Sequence, residues 1–366
     1  MARKIRVGIL FGGRSAEHEV SLQSAKNIID AIDTNKYEVV LIGIDKKGQW
    51  HLNDESRFLL PVVESGLPEL PQKGENLALV PGKEAEQLVV LSGQQRLGPL
   101  DVVFPVLHGP FGEDGTVQGL LKLANIAFVG AGVLGSAVGM DKDVMKRLLR
   151  DAGVPIARFI AATRYSSKEV GFDEARAQLG LPLFVKPANL GSSVGISKVK
   201  NREEFERAVR EAFAYDQKIL IEECIKGREI ECSVLGNENP IASVPGEILP
   251  RHGFYSYEAK YLDENGAVLE IPAKLPLETS ERIRQLAIKT FTVLCCEGMA
   301  RVDFFLRNDE EIIVNEINTI PGFTRISMYP KLWEATGISY TDLIDKLIQL
   351  AIERFEREKR LKTDRA

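Results

Sequence analysis

The stretch RVDFFLRNDEEIIVNEINTIPG, residues 301–322, decides how this chain is read. Two apolar runs, RVDFFL and IIVNEIN, flank the polar RNDEE, the pattern of a β-hairpin with Asp309 and Glu310 at its tip. With those two residues as the loop, Asp303 falls opposite Glu316 and Arg301 opposite Asn318. Side chains alternate between faces along a strand, so these four polar groups then share one face with Phe305 and Val314. Val302, Phe304, Leu306, Ile313 and Ile317 take the other face, where only Asn315 is polar. A slip of one residue would scatter the quartet.

A polar hairpin face is ordinarily a solvated one. Two features set this one apart. Two carboxylates and an amide make an oxygen-rich cage suited to Mg²⁺, a hard ion that takes a few carboxylates and fills its shell with phosphate oxygens. Arg301 beside them offers a fixed fork for an oxyanion or phosphate, and Gly322 follows with an N–H that a ligand can approach. The reading is a metal–nucleotide site, which needs phosphate-binding groups elsewhere in the chain. Lys142 at the start of a helix, Lys186 at the end of a buried strand and the loop NLGSSVG, residues 189–195, are candidates, because glycines let N–H groups face phosphate and serines add donors. Taken alone the loop reads as readily as a tight turn. It lacks the GxxxxGK[ST] pattern and GILFGGRS lacks GxGxxG, which weighs against a Walker-type NTPase and a dinucleotide dehydrogenase.

Working outward, 366 residues suffice for two or three domains. Residues 1–140 alternate strand-like and helical patterns, an α/β signature: strand IRVGILF, a helix with Leu22, Ala25, Ile28 and Ile29 inward, then strands EVVLIGID and DVVFPVL and the helix VQGLLKLANI. Residues 51–98 read as an excursion with short strands rather than core. A second unit, α+β, begins at 141 with the amphipathic helix DKDVMKRLLRDAGVP, stopped by Gly153 and Pro155, and runs through LPLFVKPA, ISKV, REEFERAVREAFAY and KILIEECI to residue 228. The third, 229–366, holds strand REIECSVLG, the loop HGFYSYEAKY and a helix capped by Thr279 or Ser280 with Ile283, Leu286, Ala287, Thr290, Phe291 and Leu294 inward. The hairpin follows, and then a terminal helix, IDKLIQLAIERFEREKR, whose charge run is expected to be a solvated face.

With 47 basic and 52 acidic residues the formal charge is -5, so no nucleic-acid partner is expected. No apolar run reaches the length of a membrane helix and the opening MARKIRVGILFGG is too short-cored for a secretory signal, so the expectation is a soluble cytoplasmic protein. Four cysteines without C-x-x-C spacing, with four scattered histidines, argue against a zinc site or a disulfide framework.

Taken together, GGRSAEHEVSL, LHGPFGEDGTVQG, DKDVMK, VKPANLGSSVG, IEECIKGREIE, FYSYEAKY and RVDFF with NEINTIPGFTRISMYP resemble the D-alanine:D-alanine ligases of the ATP-grasp superfamily over nearly the whole chain. The excursion at 51–98 resembles the longer-chain branch of that family. The resemblance implies a three-domain ATP-grasp architecture with an N-terminal Rossmann-like α/β domain. It also implies ATP-dependent joining of two D-alanines through a D-alanyl phosphate for peptidoglycan precursor synthesis, two Mg²⁺ ions that Mn²⁺ could replace, and a homodimer. Depsipeptide ligases that use D-lactate are the near rival, and they carry histidine for the tyrosine of EAKY; here Glu258-Ala259-Lys260-Tyr261 is intact. A non-catalytic ATP-binding scaffold is the distant one, and it predicts erosion of the hairpin quartet.

Residue by residue, the resemblance implies that Glu17 binds the ammonium of the first D-alanine and His108 lies near its carboxylate. Lys142, Lys186 and Lys260 hold ATP phosphates under the loop around Ser193, and Ser192 links Glu17 to Tyr261. Glu222 accepts from the adenine amino group, Glu223 and Ile225 line the adenine pocket, and Glu229 takes the ribose hydroxyls. Lysine is frequent in the family where Glu223 stands, so backbone contact is the expectation there. Asp303, Glu316 and Asn318 hold the metal ions, Arg301 and the N–H of Gly322 form an oxyanion site, and Ser327 and Met328 receive the second D-alanine's carboxylate. The loop from His252 to Tyr261 would be a lid.

Overall fold

The computed structural model describes residues 3–53, 74–82, 87–92, 97–165, 171–192, 194–250 and 267–362. Three sheets organise them. The first has seven strands in the order β5-β4-β3-β2-β1-β6-β7: β1 (Ile5–Gly12), β2 (Tyr37–Ile44), β3 (Trp50–Asn53), β4 (Glu75–Leu79), β5 (Leu88–Val90), β6 (Val102–Val106) and β7 (Ala127–Phe128). β1 pairs in parallel with β2 and β6, as buried strands linked by a crossover helix should. That helix, α1 (His18–Ala31), buries Leu22, Ala25, Ile28 and Ile29, the four residues its period singles out. β3, β4 and β5 extend the sheet antiparallel. They correct the expectation of an excursion outside the core, because Leu77, Leu88 and Val90 are buried with Leu10, Ile42 and Val103. Short apolar runs between polar loops gave too weak a pattern to show this from sequence.

The helices α2 (Thr116–Leu123), α3 (Val133–Met140) and α4 (Lys142–Asp151) lead into the second sheet, ordered β10-β9-β11-β8. Asp141 caps α4 by accepting from the N–H groups of Asp143 and Val144. The sheet comprises β8 (Phe159–Thr163), β9 (Leu183–Pro187), β10 (Ser197–Val199) and β11 (Lys218–Glu223), backed by α5 (Phe172–Leu179) and α6 (Arg202–Tyr215) with a core of its own. The third sheet runs β15-β14-β12-β16-β17, with β13 (Ile241–Ala242) paired to β12. Its strands are β12 (Arg228–Gly236), β14 (Gly246–Pro250), β15 (Ala267–Glu270), β16 (Gly298–Arg307) and β17 (Glu311–Asn318). Helix α7 (Leu277–Val293) covers one face and buries Ile283, Ala287, Thr290 and Phe291, while Leu286 is partly buried. Its cap differs from expectation: the helix starts at Leu277 after Pro276, whose fixed φ suits a helix entry, and Thr279 is buried inside the first turn.

α8 (Met328–Ala335) and α9 (Tyr340–Lys359) close the chain. α9 packs Leu343, Ile344, Leu347, Ile348 and Ala351 into the same cluster as Val7, Ile9, Phe11 and Phe104 of the first sheet. Its charge run is not simply a solvated face. Arg354 is 4% exposed, donates to the carbonyls of Gly130 (2.5 Å) and Phe128 (2.7 Å), and lies over the Phe128 ring. Two backbone acceptors at the end of β7 supply what a buried guanidinium needs.

Candidate active site

The hairpin of β16 and β17 pairs Arg301 with Asn318, Val302 with Ile317 and Asp303 with Glu316, as the sequence pattern requires. It reaches that register by another route. The turn is one residue longer, Asn308-Asp309-Glu310 with Asn308 and Asp309 at positive φ, so Arg307 pairs with Glu311 and Phe304 with Val314. A bulge between Asp303 and Phe304 absorbs the extra residue, Asn315. Consequently Val314 joins Val302, Phe304, Leu306, Ile312 and Ile317 in the core, and Ile313 moves to the face of Phe305, reversing the expected places of Ile313 and Val314.

The polar face is tightly cross-linked. Arg301 donates through Nε to Asp303 Oδ1 (2.7 Å) and through Nη2 to Asp303 Oδ2 (2.8 Å), and its Nε lies 2.8 Å from Glu231 Oε2 on β12. Asn318 Nδ2 donates to Asp303 Oδ2 (2.9 Å). Glu316 Oε2 lies 3.4 Å from Lys142 Nζ, which donates to the carbonyl of Leu190 (2.7 Å) in the glycine-serine loop. Among the described residues no three His, Cys, Asp or Glu side chains are gathered closely enough to hold a metal by themselves. Two carboxylates and an amide nevertheless fit Mg²⁺, which binds through one or two carboxylates and leaves the remaining positions to water and phosphate.

The first sheet brings a second set of groups to the C-terminal ends of β1 and β6, the crevice where open α/β sheets hold ligands. Glu17, 6% exposed, accepts a hydrogen bond from the Ser192 hydroxyl. Gly109 (φ +75°) lies against it: its backbone favours glycine, and an added Cβ, 2.6 Å from Glu17 Oε2, would push the carboxylate aside. His108 Nδ1 is 3.1 Å from the carbonyl of Ile320 and Nε2 is 3.2 Å from Ser24 Oγ, which fixes the proton on Nδ1. Burial lowers its pKa, against the pull of Glu17, and keeps the ring neutral.

Glu113 ties this loop to the one after β17, accepting from the N–H of Gly109 (2.7 Å) and of Ile320 (3.1 Å). Burial and then Glu17 push its pKa up to about 8, against the two N–H donors. Beyond it, Gly322 packs so closely that a Cβ would lie 2.7 Å from Ser327 Oγ. Ser327 is the N-cap of α8 and Met328 its first residue.

On the second sheet Lys186 of β9 and Glu222 of β11 form an ion pair, and Lys146 Nζ of α4 lies 2.8 Å from the other Glu222 oxygen. Burial works to raise the pKa of Glu222, and Lys146 and Lys186 outweigh it, so the carboxylate titrates lower than usual. Glu223 is held by Arg158, whose Nε and Nη2 donate to Oε2 at 2.9 and 2.7 Å. Ile225 and Glu229 follow, half-buried, with Glu229 opposite Phe305. Ser193, Lys260 and Tyr261, with the loop from His252, lie outside the described residues.

Sequence reasoning missed Lys146, Glu231 and Glu113. Lys146 is one helical turn after Lys142, and Glu231 lies two residues from Glu229 on a strand, so each shares a face with a residue already singled out. Glu113 stands in the quoted LHGPFGEDGTVQG, but nothing local shows that it accepts from the N–H groups of both Gly109 and Ile320.

Two family models match the chain: "D-ala D-ala ligase N-terminus" over residues 6–131 and "D-ala D-ala ligase C-terminus" over 148–349. A D-alanine–D-alanine ligase of Oceanobacillus iheyensis is 57% identical over 363 residues, 99% of each chain. D-alanine–D-alanine ligase A of Escherichia coli K12 is 56% identical over 360 residues, 98% of this chain and 99% of that one. Among solved structures, the D-alanine-D-alanine ligase of Coxiella burnetii superposes with a TM-score of 0.86 at 41% identity, covering 98% of this chain and 97% of that one. A D-Ala:D-Ser ligase of Enterococcus faecalis superposes at 0.83 with 36% identity, covering 95% and 100%.

Proposed function

The chain belongs to the D-alanine–D-alanine ligase family and joins two D-alanines with ATP; from that premise we propose how its residues divide the work. The observation that carries the proposal is the register of the 301–318 hairpin, which sets Arg301, Asp303, Glu316 and Asn318 on one face, with Glu316 against Lys142.

Residues 1–140, 141–228 and 229–366 act as three domains around one cleft. Glu17 takes the ammonium of the first D-alanine, and the neutral His108 lies by its carboxylate. Lys142, Lys186 and Lys260 hold the ATP phosphates, with Ser193 in the loop over them. Glu222, Glu223, Ile225 and Glu229 form the adenine and ribose side, Glu223 through its backbone because Arg158 occupies its carboxylate. The second D-alanine places its carboxylate at Ser327 and Met328, where the first turn of α8 presents unsatisfied N–H groups and a positive dipole end.

In the first step a carboxylate oxygen of the first D-alanine attacks the γ-phosphorus. The bridging bond breaks, ADP leaves, and an acyl phosphate replaces a carboxylate too electron-rich to be attacked. In the second, the deprotonated amine of the second D-alanine bonds to the acyl carbon, Arg301 and the Gly322 N–H take the charge of the tetrahedral oxygen, and phosphate departs. Positioning and fixed dipoles supply most of the acceleration. Two Mg²⁺ ions held by Asp303, Glu316 and Asn318, replaceable by Mn²⁺, would neutralise charge on the transferring phosphoryl group. Ser192 and Tyr261 order a lid that keeps water from the acyl phosphate. The enzyme works as a cytoplasmic homodimer supplying peptidoglycan precursors.

The test is phosphate release from ATP and Mg²⁺ with D-alanine, L-alanine, or D-alanine plus D-lactate, with products weighed by mass spectrometry. D-alanyl-D-alanine should form in step with phosphate, and L-alanine should be inert. Phosphate without dipeptide, or depsipeptide alone, overturns the acceptor assignment.

A further inference from the structure

Among the described residues Lys146 is the most deeply buried charged side chain that this scheme leaves unused. It is wholly buried, and α4 places it one turn beyond Lys142 on the same face. Its ammonium reaches Glu222 Oε1 at 2.8 Å while Lys186 pairs with Glu222 Oε2. A Glu222–Lys186 pair alone would be neutral, its ammonium spent on a carboxylate just as buried as itself. With the Lys146 ammonium shared across the same carboxylate, the group Lys146–Glu222–Lys186 in its charged form carries one net positive charge. Such an excess is costly away from water unless an anion is its partner.

The geometry points to Lys146 as a positioning residue for the nucleotide: by sharing Glu222 it leaves the Lys186 ammonium available to polyphosphate. This rests on the ligase reading above, and it assigns Lys146 no contact with the reacting atoms. Burial lowers the pKa of Lys146, while Glu222 and then Glu316 favour its charged form, so it also lies within electrostatic reach of the hairpin quartet.

The inference is specific to one substrate. Lys146→Met keeps the volume and removes the charge; Lys146→Arg keeps the charge and changes the shape. Phosphate release is measured with each substrate varied while the other saturates. Lys146→Met should raise KM for ATP about tenfold, the effect of losing one charge-assisted contact, and leave KM for D-alanine within about twofold. Lys146→Arg should recover most of the ATP term. An unchanged KM for ATP in Lys146→Met, an equal rise for both substrates, or an arginine variant no better than methionine would overturn the assignment. Should Lys146→Met not fold, Lys146→Gln carries the same expectations. Absence of D-alanine-dependent phosphate release in the unaltered protein would instead remove the ligase reading itself.

Discussion

Asp303 receives two donors from Arg301 and one from Asn318, so its charge is balanced before any ligand arrives. Asp303→Asn should therefore leave the fold intact while removing a metal ligand. Mg²⁺-dependent turnover is expected to fall by about 10²-fold or more, in the range of losing one preorganised electrostatic group, with the circular dichroism spectrum unchanged; normal turnover would refute the ligand role. Glu113 offers a pH signature. Its pKa is raised, to about 8, so its neutral form is favoured in the folded state. Any stability this gives is complete below the unfolded value and lost as pH rises toward 8. Glu113→Gln does not titrate there. Its melting temperature, measured from pH 5 to 8.5, should lie below that of the unaltered protein at low pH and close on it as pH rises; a constant gap would show that Glu113 stays ionised. The shared face of Arg301, Asp303, Glu316 and Asn318 was legible from sequence because alternation on two strands is a local rule. Glu113 was not, because its two donors, the N–H groups of Gly109 and Ile320, are 211 residues apart.

At the level of elements, the hairpin shows how a correct pairing can follow from an incorrect turn. A two-residue loop and a three-residue loop with one bulge leave Asp303 opposite Glu316 alike, so the sequence pattern alone cannot separate them. They differ in twist, which a bulge increases. Deleting Asn315 should keep the pairs and straighten the strand, re-aiming Glu316. Turnover should drop about tenfold or more while the denaturation midpoint moves little; a variant of full activity would mean the bulge is incidental. α9 supplies the converse case, in which a charge run that reads as solvent-facing puts Arg354 inside. Arg354→Met should strand the carbonyls of Phe128 and Gly130 and cost about 1–3 kcal/mol for each buried acceptor left unpaired. Denaturant unfolding would measure this, and a loss below half a kcal/mol would refute it. The charge run of α9 marks a polar face, but not which arginine has acceptors waiting at the end of another sheet.

For the whole molecule, the decisive fact is which cores are shared. The second sheet keeps its own, with Val185, Phe205 and Ile221, whereas the first sheet completes its core with α8 and α9. Leu347→Ala, deep in that shared cluster, should destabilise by about 2–5 kcal/mol and lower the unfolding midpoint of the first sheet. Hydrogen exchange at Ile9 and Phe104 should speed up with it, and unchanged exchange there would show that α9 is only an appendage. A sheet made by residues 5–128 and finished by α9 also orders events during synthesis. Between Val129 and Leu343 the ribosome must add about 210 further residues, roughly 10–40 s at ordinary elongation rates. During that interval α1 packs on the face of the nascent amino-terminal strands that α9 will complete. A ligase built this way starts to consume ATP only after α9 has been made and docked, and the chain still lacking α9 is the form that most needs a chaperone.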